Sequence, residues 1–216
     1  MAEQVVLKHY GPELAAAGAA LVMLHGRGGS AADMIRLGAA LGLADQGLAC
    51  LAPEAEGGTW YPRSFMAERS ENEPGLSRSL AVVAGATRLA ADALGHGRVV
   101  LMGFSQGACL ACEHVARHED VSASGVSGLV ALTGGLIGAS LDDPAYPSGP
   151  LAGLKVLLST GDPDAHVPVS RVRETRDLFL KRGASVELVV EPGRPHVITQ
   201  AEVERLRGAV ERVLEG

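Results

Sequence analysis

Short apolar runs rich in valine and leucine alternate along the chain with longer segments of helical period, and glycine or proline marks the joins. Strands are expected at Val5 to His9, Ala20 to Leu24, Leu48 to Ala52, Val99 to Met102, Gly128 to Leu132, Val156 to Ser159 and Val186 to Val190. Most of these runs are continuously apolar rather than alternating, the pattern of strands buried on both faces of a parallel sheet. Helices are expected at Ala31 to Leu43, Leu76 to Leu94, Gln106 to His118, Ser170 to Lys181 and Gln200 to Leu214. In the last of these, Val203, Leu206, Val210 and Val213 form one stripe, and Glu202, Arg205, Arg207 and Glu211 fall elsewhere on the wheel. Alternation of this kind predicts an α/β fold with a mostly parallel central sheet and helices on both faces.

Two segments interrupt the alternation, Pro53 to Gly75 and Thr133 to Gly153, each about 20 residues long. Both follow strands and so should emerge at the carboxyl edge of the sheet, where open α/β folds bind their ligands. Their length marks them as functional loops. Neither is long enough for a large cap, so one domain over residues 1–216 is expected.

A chain of 216 residues can bury a core without disulfide or metal staples. Hydrophobic residues at 47% and charged residues at 20% fit a globular protein, while aromatics at 3% leave a core of leucine, valine and alanine. The net charge of -6, with acids and bases interspersed, argues against a nucleic-acid partner. No run approaches the ~20 apolar residues of a membrane helix, so no stable membrane insertion is expected. Leu14 to Leu24 is apolar, but Glu3 and Glu13 stand where a signal peptide would carry basic residues, and a cytoplasmic protein is expected. Three cysteines fit a reducing compartment. Cys109 and Cys112 form a C-x-x-C pair inside a helix with no second pair for zinc, which favours packing over metal or redox roles.

Gly103-Phe104-Ser105-Gln106-Gly107 stands where the strand from Val99 should turn into the helix from Gln106. A serine at such a turn is pushed into strained geometry and projects alone above the sheet, so Ser105 is the candidate nucleophile. A serine hydroxyl attacks only when a histidine accepts its proton, and a carboxylate then fixes the imidazole. On a sheet of this kind the three follow in the order serine, acid, histidine. His196, just before the terminal helix, fits that order better than His166, which lies two residues from the best carboxylate candidate. Asp162 and Asp164 both follow the strand at Val156; Asp164 is favoured because Asp162, between Gly161 and Pro163, suits the turn itself. The oxyanion donors expected are the backbone N–H of Gln106 and that of Arg27 in His25-Gly26-Arg27-Gly28-Gly29. The Arg27 side chain is expected to pair with a surface acid, or less readily to steer an anionic substrate. That glycine run lacks both the dinucleotide fingerprint and the Lys-Ser/Thr of a phosphate loop. Trp60, Tyr61 and Phe65 concentrate aromatic area in the first long loop and are expected to line a substrate pocket.

Leu24-His25-Gly26-Arg27-Gly28, Gly103-Phe104-Ser105-Gln106-Gly107-Ala108, Gly161 to Pro168 and Pro192-Gly193-Arg194-Pro195-His196 together resemble the phospholipase/carboxylesterase family of α/β-hydrolases. The resemblance implies Ser105 as nucleophile, Asp164 as acid, His196 as base, and Arg27 with Gln106 as oxyanion donors. It implies a hydrolase fold without a large cap, no metal and no organic cofactor. The run Trp60 to Phe65 looks like the bacterial carboxylesterase branch, and Pro195 stands where a methionine often precedes the histidine. The expected function is hydrolysis of a small-molecule carboxylic ester through an acyl-enzyme. Thioester or lysophospholipid hydrolysis by the same residues is the enzymatic alternative, and a non-catalytic ligand-binding protein is the alternative of another class. Nothing in the sequence sets the oligomeric state, and a homodimer stays open.

Overall fold

The computed structural model describes residues 6–142 and 146–214. Its elements in chain order are β1 (Leu7–Tyr10), β2 (Ala19–Leu24), α1 (Ala31–Ala40), β3 (Leu48–Pro53), α2 (Gly75–Leu94), β4 (Val99–Phe104), α3 (Gln106–Ala116), α4 (Val121–Ser124), β5 (Gly128–Leu132), β6 (Lys155–Asp162), α5 (Val169–Lys181), β7 (Ser185–Pro192) and α6 (Gln200–Leu214). Every expected strand and helix is present within a few residues, although Val5 lies outside the described residues. The expected helix Ala31 to Leu43 stops at Ala40, and Gly42 turns the chain at φ 65°. The strands form one sheet in the order β1-β3-β2-β4-β5-β6-β7, with β1 antiparallel to β3 and the rest parallel.

The continuous apolar runs are explained by two cores. Ala20, Val22 and Leu24 of β2, with Val99 and Leu101 of β4, face α2, α3 and α5. Ala19, Leu21 and Met23, with Val100 and Met102, face α1 and α6. Successive strand side chains point to opposite faces, so a strand covered on both sides must be apolar at every position. In α6, Leu206 and Val210 are buried and Val203 half-buried; the side chain of Val213 lies outside the described residues. Glu202 departs from the wheel's expectation, being wholly buried.

His114 of α3 is also buried, with Nε2 3.0 Å from the Ser124 carbonyl of α4. Burial, helped by the charge of His118, pushes its pKa down to about 4 from 6.5, against the pull of the Ser124 carbonyl. Between those values the unfolded chain binds more protons at this residue than the folded one. Stability from this group is therefore complete above about pH 6.5 and lost as the pH falls toward 4. Wild-type unfolding free energy should fall by up to ~1.4 kcal/mol per pH unit in that window. His114→Gln, which keeps a donor and does not titrate, should show a shallower slope in urea titrations at pH 7 and 5; equal slopes would exclude His114 as the cause.

No helix among the described residues is long and apolar enough to cross a membrane.

Candidate active site

β4 ends at Phe104 and α3 begins at Gln106, so Ser105 alone makes the turn. Its backbone sits at φ 53° and ψ -117°, a conformation that costs an L residue ~1–3 kcal/mol. The turn is held from both sides: Ser105 N–H donates to the Leu132 carbonyl of β5 at 2.9 Å, and Cys109 N–H donates to the Ser105 carbonyl at 3.0 Å. A Cβ on Gly103 would lie 2.3 Å from the Gly107 carbonyl carbon, and one on Gly107 would lie 2.4 Å from the Leu24 oxygen. Both glycines of the motif are thus required by contact, since real side chains never approach so closely.

Three loops at the carboxyl ends of β4, β6 and β7 converge on one hydrogen-bonded series. His196 Nε2 lies 2.9 Å from Ser105 Oγ, and its Nδ1 lies 2.8 Å from Asp164 Oδ2. The other carboxylate oxygen, Oδ1, accepts the backbone N–H groups of His166 and Val167, both at 2.8 Å. Burial of the Asp164 side chain opposes its charge, but those two bonds and the His196 contact outweigh it and hold the pKa below the ordinary carboxylate value. An imidazole so oriented can take a proton from a hydroxyl at Nε2 while its own charge is balanced at Nδ1. Asp162 is not part of the series: its side chain is exposed, and its carbonyl accepts from Gly193 N–H at 2.9 Å. His166 is exposed and stands edge-on to His196, with ring centroids 4.8 Å apart.

The loop after β2 passes beside the serine. A Cβ on Gly26 would lie 3.4 Å from Ser105 Cβ, so Gly26 leaves room for the approach. Among the described residues, the backbone N–H groups of Arg27 and Gln106 donate to no protein acceptor. Beneath that loop, His25 is fully buried; its Nδ1 lies 2.7 Å from the Gly26 carbonyl and its Nε2 accepts Ala55 N–H at 3.2 Å.

The side chains of Arg27 and Gln106 do something the sequence did not suggest. Gln106 Oε1 accepts Trp60 N–H at 3.0 Å, and its Nε2 donates to the Tyr61 carbonyl at 2.8 Å. Arg27 pairs with no acid among the described residues; instead it donates to the carbonyls of Tyr61 and Arg63 at 2.8 Å and of Pro62 at 3.2 Å. Together they clamp residues 59–63 against the elbow. In the sequence, the only hint was a polar residue at each oxyanion position.

A cleft of about 530 Å³ opens over Ser105, lined by Tyr61, Arg63, Phe65, Phe104, Cys109 and Val167 among others. Tyr61 and Cys109 are both buried where they border this cleft. Trp60 corrects its expectation. Its indole is buried, donates from Nε1 to the His25 carbonyl at 2.8 Å, packs on the His25 ring at 4.9 Å, and lines a separate cavity against α2 rather than this cleft. It is the loop's anchor. The described residues of the segment Thr133 to Gly153 also stay out of the cleft lining. Glu113 of α3 accepts Ile137 N–H at 3.1 Å and the Tyr146 hydroxyl at 2.7 Å, and Arg171 of α5 donates to the carbonyls of Leu136 and Gly138. All three cysteines are free and buried, and burial raises the thiols of Cys50 and Cys109 to about 11.

The His196 loop is tied down by Arg194, a buried residue. Its guanidinium donates to Glu202 at 2.7 Å, to the Val197 carbonyl at 3.0 Å and to Thr133 Oγ1 at 3.1 Å, and lies 3.0 Å from Glu191. Glu202 also accepts Ser159 Oγ at 2.9 Å. Burial pushes the Glu202 carboxyl up, and the Ser159 and Arg194 contacts resist that rise. Arg194→Met, which strands this buried carboxylate, should lower unfolding free energy by about 3–5 kcal/mol in urea titrations. A loss below about 1 kcal/mol would mean that the pair does not hold the loop.

The sequence pattern of the phospholipase/carboxylesterase family matches residues 12–214. Among solved structures, the chain is similar to a phospholipase/carboxylesterase from Dyadobacter fermentans, at 39% identity over 98% of each chain with a TM-score of 0.86. It is also similar in fold to esterase PE8, at 24% identity over 98% of this chain and 100% of that one, with a TM-score of 0.78. The Bacillus cereus carboxylesterase aligns at 21% identity over 97% of this chain and 95% of that one, with a TM-score of 0.76. No curated protein matches the sequence. With one seven-stranded sheet, an elbow serine after β4, and a family pattern that runs from residue 12 to residue 214, the chain belongs to the phospholipase/carboxylesterase family of α/β-hydrolases.

Proposed function

We propose that the protein is a serine carboxylesterase that hydrolyses carboxylic esters through an acyl-enzyme. The observation that supports this best is the unbroken series from Ser105 Oγ to His196 at 2.9 Å and on to Asp164 at 2.8 Å. As Ser105 Oγ attacks the ester carbonyl, His196 Nε2 takes its proton and Asp164 balances the imidazolium at Nδ1. Charge develops on the former carbonyl oxygen, where the N–H groups of Arg27 and Gln106 stabilise it. The tetrahedral intermediate collapses, His196 returns the proton to the leaving alcohol, and Ser105 stays acylated. Water then attacks the acyl carbon by the same route, giving the acid and the free serine. Tyr61 and Phe65 form the apolar wall beside the acyl or alcohol group.

A fluorophosphonate probe tests the reading directly. One equivalent should attach to Ser105 in the wild-type protein and none to Ser105→Ala, alongside turnover of p-nitrophenyl esters. A native protein whose Ser105 stays unlabelled would instead be a ligand-binding member of the family.

A further inference from the structure

The charges around the cleft run against those of the chain. The protein carries 25 acidic and 19 basic residues, yet the cleft lining includes two guanidinium groups, Arg27 and Arg63, two imidazoles, His166 and His196, and no aspartate or glutamate. Asp164, which backs His196, has no exposed side-chain surface and both of its oxygens are occupied.

Arg63 is held at its backbone and open at its head. Its N–H donates to Asn72 Oδ1 at 2.8 Å, and its carbonyl accepts Arg27 Nη2 at 2.8 Å, which fixes the Cα at the cleft rim. Its side chain is exposed and makes no hydrogen bond or ion pair among the described residues. Arg27 spends its donors on three carbonyls, which satisfies its N–H groups without cancelling its charge. Two uncompensated cations over a partly desolvated cleft attract an anion more strongly than they would in open water.

We propose that the cleft selects anionic esters, whose acyl or alcohol part carries a carboxylate that Arg63 binds in the field of Arg27. A planar guanidinium can take a carboxylate by two parallel N–H bonds, and Arg63 has that fork free. The inference rests on the esterase reading and narrows its substrate class.

The test compares esters matched except that a carboxylate replaces a terminal methyl: monoethyl succinate against ethyl butyrate, and acetoxyacetate against ethyl acetate. Each kcat/KM, followed by acid release at constant pH, is divided by the ester's own hydroxide-catalysed rate to remove intrinsic reactivity. In at least one pair the charged ester should be favoured by about tenfold, the effect of one partly exposed charge-assisted contact. That ratio should collapse toward one in Arg63→Gln, fall but stay above one in Arg63→Lys, which keeps the charge without the fork, and shrink for the wild-type protein in about 0.5 M sodium chloride. Neutral esters turned over as well as or better than their charged partners in both pairs would overturn the inference and leave the esterase intact. So would a preference indifferent to Arg63→Gln and to salt. Failure to hydrolyse any of the four esters would strike the esterase reading itself, and the inference with it.

Discussion

Replacing Ser105 by alanine, or His196 by alanine, should lower kcat for a p-nitrophenyl ester by about 10⁴ to 10⁶ while leaving the fold in place. The magnitude follows from the way the two groups act as a unit. Without Oγ there is no covalent intermediate, and without Nε2 at 2.9 Å the hydroxyl keeps its proton and is a poor nucleophile. Either loss leaves only the cleft and the two backbone donors, so the variants should be about equally impaired and the double variant hardly worse. The measurement is turnover beside a thermal melt, since a change in Tm would point to damage at the elbow. More than a tenth of wild-type activity in either variant would falsify the assignment.

Asp164→Asn should cost about 10⁴ in kcat, for a reason specific to this loop. Asp164 Oδ1 receives two backbone donors, from His166 and Val167, each at 2.8 Å. An asparagine must present its oxygen there, because its NH₂ cannot accept, and so its NH₂ turns toward His196 Nδ1. Nδ1 must then accept, the imidazole proton moves to Nε2, and the atom that should receive the Ser105 proton is already occupied. The wild-type carboxylate stays charged well into acid: its lowered pKa makes its contribution to stability complete above the ordinary carboxylate value, and lost only as the pH falls through the lowered one. A variant with native circular dichroism and less than a tenfold loss would show that the carboxylate does not orient the imidazole.

The fold was legible because a two-sided sheet leaves a strong imprint. β2 and β4 are apolar at consecutive positions since each face carries its own core, as the split of Leu21 from Val22 and of Leu101 from Met102 makes plain. The order of Ser105, Asp164 and His196 was legible for a related reason: each stands just past a strand, at the edge to which parallel strands all point. What stayed hidden was polar and long-range. Glu202 lies off the apolar stripe of α6, and only its pairing with Arg194 in the loop before the helix and with Ser159 on β6 makes its burial possible. The short helix α4 has too few residues to show a period. Trp60 was expected to face a ligand because aromatics are scarce here, yet its indole N–H answers a buried carbonyl at His25 instead. The segment 133–153 has loop composition, but its residues Leu136 to Gly138 and Tyr146 are pinned by Glu113 and Arg171, whose own positions advertise nothing of the kind.

In the proposed reaction Gln106 links the two halves of recognition, because the residue whose amide proton would meet developing charge also grips, through its carboxamide, the main chain of Trp60 and Tyr61. Any effort to retune selectivity by grafting the 59–65 stretch from a relative must therefore transplant its anchorage too, at Arg27, Gln106 and Ser79, whose hydroxyl holds the Trp60 carbonyl. A graft that ignored those moorings would alter the reaction rate toward every ester alike, instead of exchanging one preference for another.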